Sequence, residues 1–465
     1  MQATLTKIQE DYFELILDYF GKYYFSHKGK DAMTAAKSIS LSSTGKIMNE
    51  IDGLFDILDE FWKKNNPTLL GEIKKLKGIR AGFHGDISPF DSESVISKTA
   101  LYVDTTIIPD PVSRVLHFPP GMLDKRIFVY YLIKHTFNIL NSQDLFLSDC
   151  DYPISIIYPL RLDMEDSRKD IAAKEGSEDV LQYFNELFKK GIANHDDLDK
   201  ILKESDDVLA KEIKDVSLLI PHYRSDVSII DGLRKGQEKA LDSQVKSFDK
   251  FSTGMRYKSY VLGRFMGLSE HLKETMEFNL KSLFSEPNGY FLYNWKIIEG
   301  LSKTKKVLDL DLDTSLINTL QLDDFSWLGK VPLDKVVELR NNGELQDLRE
   351  LYRKEVDTLS ISKIDELSEV SKQVKYNLET AFTKHKADVS ELNLEYKKRY
   401  NIDGSLLVIG TLSLVASIIW PPAAAFSVLG GGGLIDYVYK QDEYINRMNA
   451  IKNRPVGILF DSYDQ

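Results

Sequence analysis

The chain has 465 residues, 43% of them hydrophobic and 11% aromatic, which excludes general disorder and allows two to four folding units. Seventy-one Asp and Glu against sixty Lys and Arg give a formal net charge of -11, which repels phosphate backbones and argues against duplex nucleic acid as a partner. Cys150 is the one cysteine, so an intrachain disulfide and multi-cysteine metal sites are excluded and a reducing compartment is expected.

The first residues, MQATLTKIQEDYFELIL, place acidic side chains where a secretory signal needs basic ones, so export by that route is not expected. From Leu5 to Phe25, apolar residues recur at helical spacing (Leu5, Ile8, Tyr12, Leu15, Ile16, Tyr19, Tyr23), predicting an amphipathic helix with an aromatic face. A second helix is predicted from about Ile47 to Lys63, stopped by Asn65-Asn66-Pro67. Together these make an N-terminal helical part over 1–80.

Between 81 and 160 the texture changes. Turn-rich pieces such as FHGDISPFDSES lie beside the β-type runs TALYVDTTII and YPISIIYPL, and DKRIFVYYLIKHTFNIL reads as a buried helix between them. This predicts a small mixed α/β part in a mainly α protein.

Residues 161–356 form a predicted helical body. Charge runs such as HDDLDKILKESDDVLAKEIKDV describe solvated helix faces, and SEPNGYF marks a turn between helices. From 357 to 403, Ile364, Leu367, Val370, Val374, Leu378, Ala381, Val389, Leu392 and Tyr396 recur mostly every three or four residues, predicting a long coiled-coil-like helix. Unbroken from Asp357 to Tyr400, it would be roughly 65 Å long.

That helix delivers the chain to SLLVIGTLSLVASIIWPPAAAFSVLGGGGLI, 31 residues from Ser405 to Ile435 without a single charge. A bilayer core needs about 20 helical residues to cross. Its apolar side chains include Leu406, Leu407, Ile409, Leu412, Leu414, Ile418, Ile419, Trp420, Phe426 and Leu429. Pro421-Pro422 divides the run, since two prolines remove two backbone donors and clash with the preceding turn.

Three geometries remain open for 404–436: a kinked span, a helical hairpin dipping into the bilayer, or a hairpin buried within protein. Small residues such as Gly410, Ala416 and Gly430 suit close helix packing, including packing between copies. Lys397, Lys398 and Arg399 precede the run, and Lys440, Arg447, Lys452 and Arg454 follow it in or near the 437–465 tail. Positive residues at both ends suit a hairpin with cytoplasmic ends. If the run lines a pore, Thr411, Ser413 and Ser417 are the polar candidates.

Other chemistry is sparsely signalled. ALYVDTTIIPDP ends an apolar strand in Asp104 and adds Asp110, and it is similar to the strand opening of PIN-type ribonucleases, which gather carboxylates around divalent metal. That resemblance implies a nuclease alternative, with Asp149 and Asp151 as further candidates. The eight histidines show no metal-protease spacing, and His84 with Asp86 is an isolated pair. No Gly-x-Ser-x-Gly is present, and Gly430–Gly433 lacks the Lys-Ser or Lys-Thr of a phosphate-binding loop. No cofactor is called for, no reaction can be named, and a non-enzymatic role is expected.

A helical body, a long helix and a small-residue apolar hairpin together resemble the plan of membrane-disrupting effectors of bacterial anti-phage defence. That resemblance rests on Asp357–Tyr400 and Ser405–Ile435. It implies a homo-oligomer that forms or gates a channel at the cell membrane, with the bulk of the chain cytoplasmic and control by a small ligand or partner; a nucleotide or short oligonucleotide, which needs only a pocket, is compatible with the net charge as that ligand. The competing expectation is a cytosolic oligomeric scaffold with the hairpin in its core.

Overall fold

The computed structural model describes residues 2–28, 30–85, 94–100, 102–116, 124–148, 150, 152–159, 166–219, 228–234, 251–304, 314, 317–318, 331–341 and 349, with isolated positions 376, 380, 384, 387–388, 390–391, 394 and 447 beyond them. The run 405–435 therefore lies outside the described residues, as does most of the predicted long helix.

Helix α1 spans Gln2–Ser26 and buries Leu5, Ile8, Tyr12, Phe13, Ile16 and Phe20, close to the predicted face. Helix α2, Ala32–Ser42, is capped by Asp31, whose carboxylate accepts from the Thr34 N–H at 2.8 Å. Helix α3 covers Thr44–Glu50 and α4 covers Leu54–Lys75.

The predicted Ile47–Lys63 helix is corrected in its middle and at its C-terminal end. Gly53 adopts a left-handed conformation (φ 80°) and separates α3 from α4. Pro67 then sits inside α4 without ending it. The reason is packing: Leu54, Leu58, Trp62, Leu69 and Ile73 keep one buried stripe on both sides of the proline. Burying several large side chains, at about 1.5–3 kcal/mol each, offsets an interior proline cost of about 3 kcal/mol.

Four strands follow: β1 Arg80–His84, β2 Thr105–Pro109, β3 Ser155–Tyr158 and, far along the chain, β4 Lys281–Phe284. They form one parallel sheet in the order β3-β2-β1-β4. Its strands carry mostly buried residues, as expected for a parallel sheet covered by helices. The run TALYVDTTII is only half strand. Its first residues finish helix α5, Val95–Thr99, which Ser94 caps.

Between β2 and β3 come α6 Pro111–Leu116, α7 Lys125–Asn141 and α8 Gln143–Leu147. Helix α7 is the buried helix read from the sequence, and α2 packs its Ala32, Ala35 and Ala36 side against it. The charged body contributes α9 Asp166–Phe188, α10 His195–Leu202 and α11 Asp206–Glu212. Helix α12, Thr253–Phe278, leads into β4, after which come α13 Pro287–Thr304 and α14 Leu333–Asn341. The protein is thus mainly α with a small parallel sheet, and the sheet's last strand enters from the predicted helical body.

Both edges of this sheet are closed by side chains. At the β3 edge, the Gln9 amide donates to the Ile157 carbonyl at 3.0 Å and accepts from the Ile157 N–H at 2.9 Å. At the β4 edge, Asn318 accepts from the Phe284 N–H at 2.8 Å and donates to the Ser282 carbonyl at 2.7 Å, while Thr314 accepts from the Ser282 N–H. A carboxamide carries one donor side and one acceptor side, so each mimics a piece of neighbouring strand.

A second core lies among α9 to α13. Tyr183, Phe184, Leu187, Leu202, Tyr257, Phe265 and Trp295 form part of it. Gly176 permits the closest approach of α9 to α12, since a Cβ there would lie 2.8 Å from Met266 Cγ and 3.0 Å from its backbone nitrogen.

Contacts divide the chain into Met1–Leu367 and Ser368–Gln465, and every element above belongs to the first unit. In the second, positions 376, 380, 384, 387–388, 390–391 and 394 are helical, and Thr380 donates to the Tyr376 carbonyl at 2.8 Å. Among the described residues, no helix is long and apolar enough to cross a membrane.

Candidate functional site

In an open parallel sheet, ligands favour the crevice beyond the carboxyl ends of the strands where the chain order reverses. Here β1 lies between β2 and β4, so that point falls at His84 and Phe284. Ser285 donates its N–H to the His84 carbonyl at 3.0 Å, prolonging the β1–β4 pairing by one step. Gly85 has φ 142°, and a Cβ on it would fall 1.8 Å from Ser285 Oγ. Glycine is required by both the backbone conformation and the close approach.

Helix α12 crosses β1 antiparallel to it. Asn279, just past the helix, accepts from Arg80 at the start of β1, Thr275 and His271 lie over Gly82, and Gly267 lies by His84. At 1.5 Å per residue this 26-residue helix is about 39 Å long, whereas a five-residue strand covers about 17 Å. The turns before Gly267 therefore overhang the carboxyl edge, and they carry Arg264 and Tyr260. The second core packs around this overhang.

His84 and His271 stack at 4.7 Å between ring centroids with an interplanar angle of 32°. Burial, then His271, then the charges of Arg114 and Arg264 hold His84 well below its ordinary pKa. Burial alone lowers His271 to about 3. Both rings are therefore neutral at physiological pH, each with one N–H donor and one acceptor nitrogen. His271 Nε2 is buried with no hydrogen-bond partner among the described residues.

Two guanidiniums flank the pair. Arg114, on α6 after β2, donates to the Gly85 carbonyl at 3.2 Å. Arg264 lies 3.5 Å from the Glu286 carboxylate and 5.3 Å over the Tyr260 ring. Glu286 immediately precedes α13, whose N-terminus opens at Pro287.

The two sequence-predicted carboxylates do not converge. Asp104 precedes β2 and Asp110 follows it, and six residues of strand separate them by about 20 Å. Metal pairs in two-metal hydrolases sit about 4 Å apart, so these carboxylates do not share one metal centre.

Their surroundings give each a different occupation. Asp110 is fully buried and accepts from Tyr12 at 2.7 Å, Trp62 at 2.8 Å, the Val112 N–H at 2.9 Å and the Ser113 hydroxyl. Both oxygens are thus engaged in joining α1, α4 and α6 to the sheet. Burial, reinforced by this carboxylate, pushes Tyr12 well above the usual phenol pKa.

Asp104 accepts from the Ile79 N–H at 2.7 Å and pairs with Arg349 at 3.3 Å. Arg340 adds bonds to the carbonyls of Val103 and Asp104 at 2.9 and 2.6 Å. This is a clamp at the amino end of the sheet. Asp86, Asp149 and Asp151 lie outside the described residues, as do the proposed membrane segment and the pore candidates Thr411, Ser413 and Ser417. Among the described residues, no group of three or more His, Cys, Asp or Glu is placed to hold a metal.

Arg114, Arg264, His271 and Glu286 were not legible as a site from sequence, because no local motif links residues drawn from three separate elements. The one available signal was FHGDIS, whose glycine marks the end of β1. Comparisons with known proteins supply no relative: no family model, no curated protein and no solved structure matches this chain.

Proposed function

We propose that this chain is a membrane-associated effector that oligomerises and forms or gates a pore through Ser405–Ile435, under the control of a ligand bound by the folded body. The observation that carries the reading is the 31-residue uncharged run in a chain that is 28% charged. Removing about 25 cal/mol per Å² of apolar surface from water favours placing such a run in lipid or between copies of itself.

A ligand controls such a device only by binding its two states with different affinity. The carboxyl edge of the sheet supports this half of the proposal, because it joins side chains from the α/β part to the overhang of α12. On the resemblance of plan, the setting is bacterial antiviral defence at the cell membrane, with the body cytoplasmic.

Dye release from loaded vesicles tests the reading. The full chain is expected to release dye in proportion to its oligomer, and a chain lacking 405–435 is expected to release none while keeping its helical circular dichroism. Equal release by the deletion variant would refute the pore. A full chain that is a stable oligomer in water and inert toward vesicles would support the scaffold reading instead.

A further inference from the structure

We infer that the clamp of Arg340 and Arg349 on the amino end of the sheet around Asp104 is an autoinhibitory contact: it holds the chain that leads to Ser405–Ile435 in a resting arrangement, and its release accompanies pore opening. The consequence rests on the proposed pore, and vesicle and hydrogen-exchange measurements separate failure of the clamp from failure of the pore.

The described residues from Thr314 to Arg349 meet the sheet mainly through side chains. Strand β4 is an edge, and in place of a neighbouring strand Asn318 takes the Phe284 N–H and the Ser282 carbonyl, while Thr314 takes the Ser282 N–H. Farther on, the Val331 carbonyl accepts from the Ser97 hydroxyl at 2.9 Å, and α14 buries Val336 and Leu339. Cys150 donates to the Asn341 carboxamide oxygen at 2.8 Å. Arg340 and Arg349 then close on Val103 and Asp104 at the start of β2. None of these links is a rung of the four-stranded ladder, so they can part while the strands stay paired.

The ion pair decides what kind of contact this is. Asp104 is 1% exposed and Arg349 8%, with the guanidinium Nε 3.3 Å from the carboxylate. Two charges taken out of water gain little over an apolar pair of similar size, yet removing one strands the other. Such a pair adds little strength, and its best attested use is to select one arrangement over another. The two bonds from Arg340, at 2.9 and 2.6 Å, bring a second positive charge to the same corner.

Position supplies the consequence. Arg349 belongs to the first unit, and the chain after it enters Ser368–Gln465, the unit that contains the uncharged run. A ligand that favours the released arrangement of the body would therefore act on the covalent path to that run.

The single cysteine makes a specific test. Asn341→Cys sets a second thiol against Cys150, whose sulfur already touches the Asn341 side chain, and diamide can close a bond of about 2.05 Å between them. Dye release from vesicles by the oxidised variant is expected to fall about tenfold or more and to recover on reduction with dithiothreitol. Asp104→Asn keeps an acceptor for the Ile79 N–H but removes the charge facing Arg349, and it is expected to raise release several-fold. Loss of stability alone does not produce opposite shifts at one contact.

Peptide-resolved hydrogen exchange on the wild-type full chain reads the clamp without the pore. Peptides covering α14 and β4 are expected to open together and to exchange about tenfold or more faster than those covering β1 and β2. Closing the Cys150–Asn341→Cys bond is expected to slow them, and if that bond does not form, exchange and Asp104→Asn decide alone. Exchange in α14 no faster than in β2, or equal dye release by the oxidised and reduced variant, overturns the inference. A wild-type chain that releases no dye while α14 opens separately counts against the pore alone.

Discussion

The Gln9 carboxamide and the Ile157 peptide exchange two hydrogen bonds, at 3.0 and 2.9 Å, across 148 residues of sequence. This pairing closes the open edge of β3 and ties α1 to the sheet. Gln9 is 1% exposed, so its removal strands a buried N–H and a buried carbonyl together. We expect Gln9→Leu to destabilise the body by about 1–3 kcal/mol, read as a lower midpoint in urea unfolding. An unchanged midpoint would show that the edge does not need closing. Asn318→Leu on the opposite edge is expected to behave alike.

Asp110 supplies acceptors to four donors from α1, α4 and its own α6. Removing the carboxylate leaves the Tyr12 hydroxyl and the Trp62 indole N–H without this acceptor in the buried core. Asp110→Ala is expected to cost about 3 kcal/mol or more, and Asp110→Asn to recover only part of it, because its amide nitrogen faces a donor. Thermal unfolding followed by circular dichroism checks both. Wild-type stability in Asp110→Ala would contradict the structural role.

Acid should loosen this fold through its histidines. Burial lowers His135 and His271 to about 3 and holds His84 well below its ordinary pKa. Below about pH 6.5 the unfolded chain takes up protons that the folded chain refuses, so stability rises with pH through this window and is lost as pH falls from about 6.5 toward 3. Each histidine contributes a slope of up to about 1.4 kcal/mol per pH unit. Replacing His271 with Gln is expected to flatten the dependence of urea midpoint on pH between 6.5 and 5. A profile as steep as wild type would exclude His271 as a source.

At Gly85, a methyl group meets two obstacles, the left-handed φ of 142° and Ser285. Gly85→Ala is expected to destabilise by about 1–3 kcal/mol and to part the ends of β1 and β4. Pairing Gly85→Ala with Ser285→Gly should remove the steric share and leave the backbone share. Additive losses in the double variant would show that the two residues do not touch.

Helices were the most legible part of this fold, because their apolar stripes are local. The α1 face and the buried α7 follow from spacing alone, and β2 and β3 from β-branched runs. What sequence missed depends on partners far away. Pro67 reads as a stop until the continuous stripe Leu54–Ile73 is seen to pack. The strand KSLF is too short to alternate visibly, and its identity depends on pairing with β1, two hundred residues earlier.

The candidate site was less legible still. Gln9 and Asn318 look like solvated polar residues, since nothing in their neighbourhood announces a sheet edge. Asp104 and Asp110 were paired on the similarity of ALYVDTTIIPDP to the strand opening of PIN-type ribonucleases, but a strand holds residues six apart at its two ends. His84 was visible only as an isolated pair with Asp86. His271 and Arg264 join it through the crossing of α12 over β1, and Arg114 through α6 at the end of β2.

The claim on which the account rests is that Ser405–Ile435 enters lipid, and vesicle flotation measures it directly. Full chain mixed with anionic and with neutral vesicles is expected to rise with both in a density gradient and to stay bound in high salt, since a chain of net charge -11 gains nothing from an anionic surface. A chain lacking 405–435 is expected to remain at the bottom. Full-length protein that stays at the bottom, or a deletion variant that floats equally well, would contradict the account.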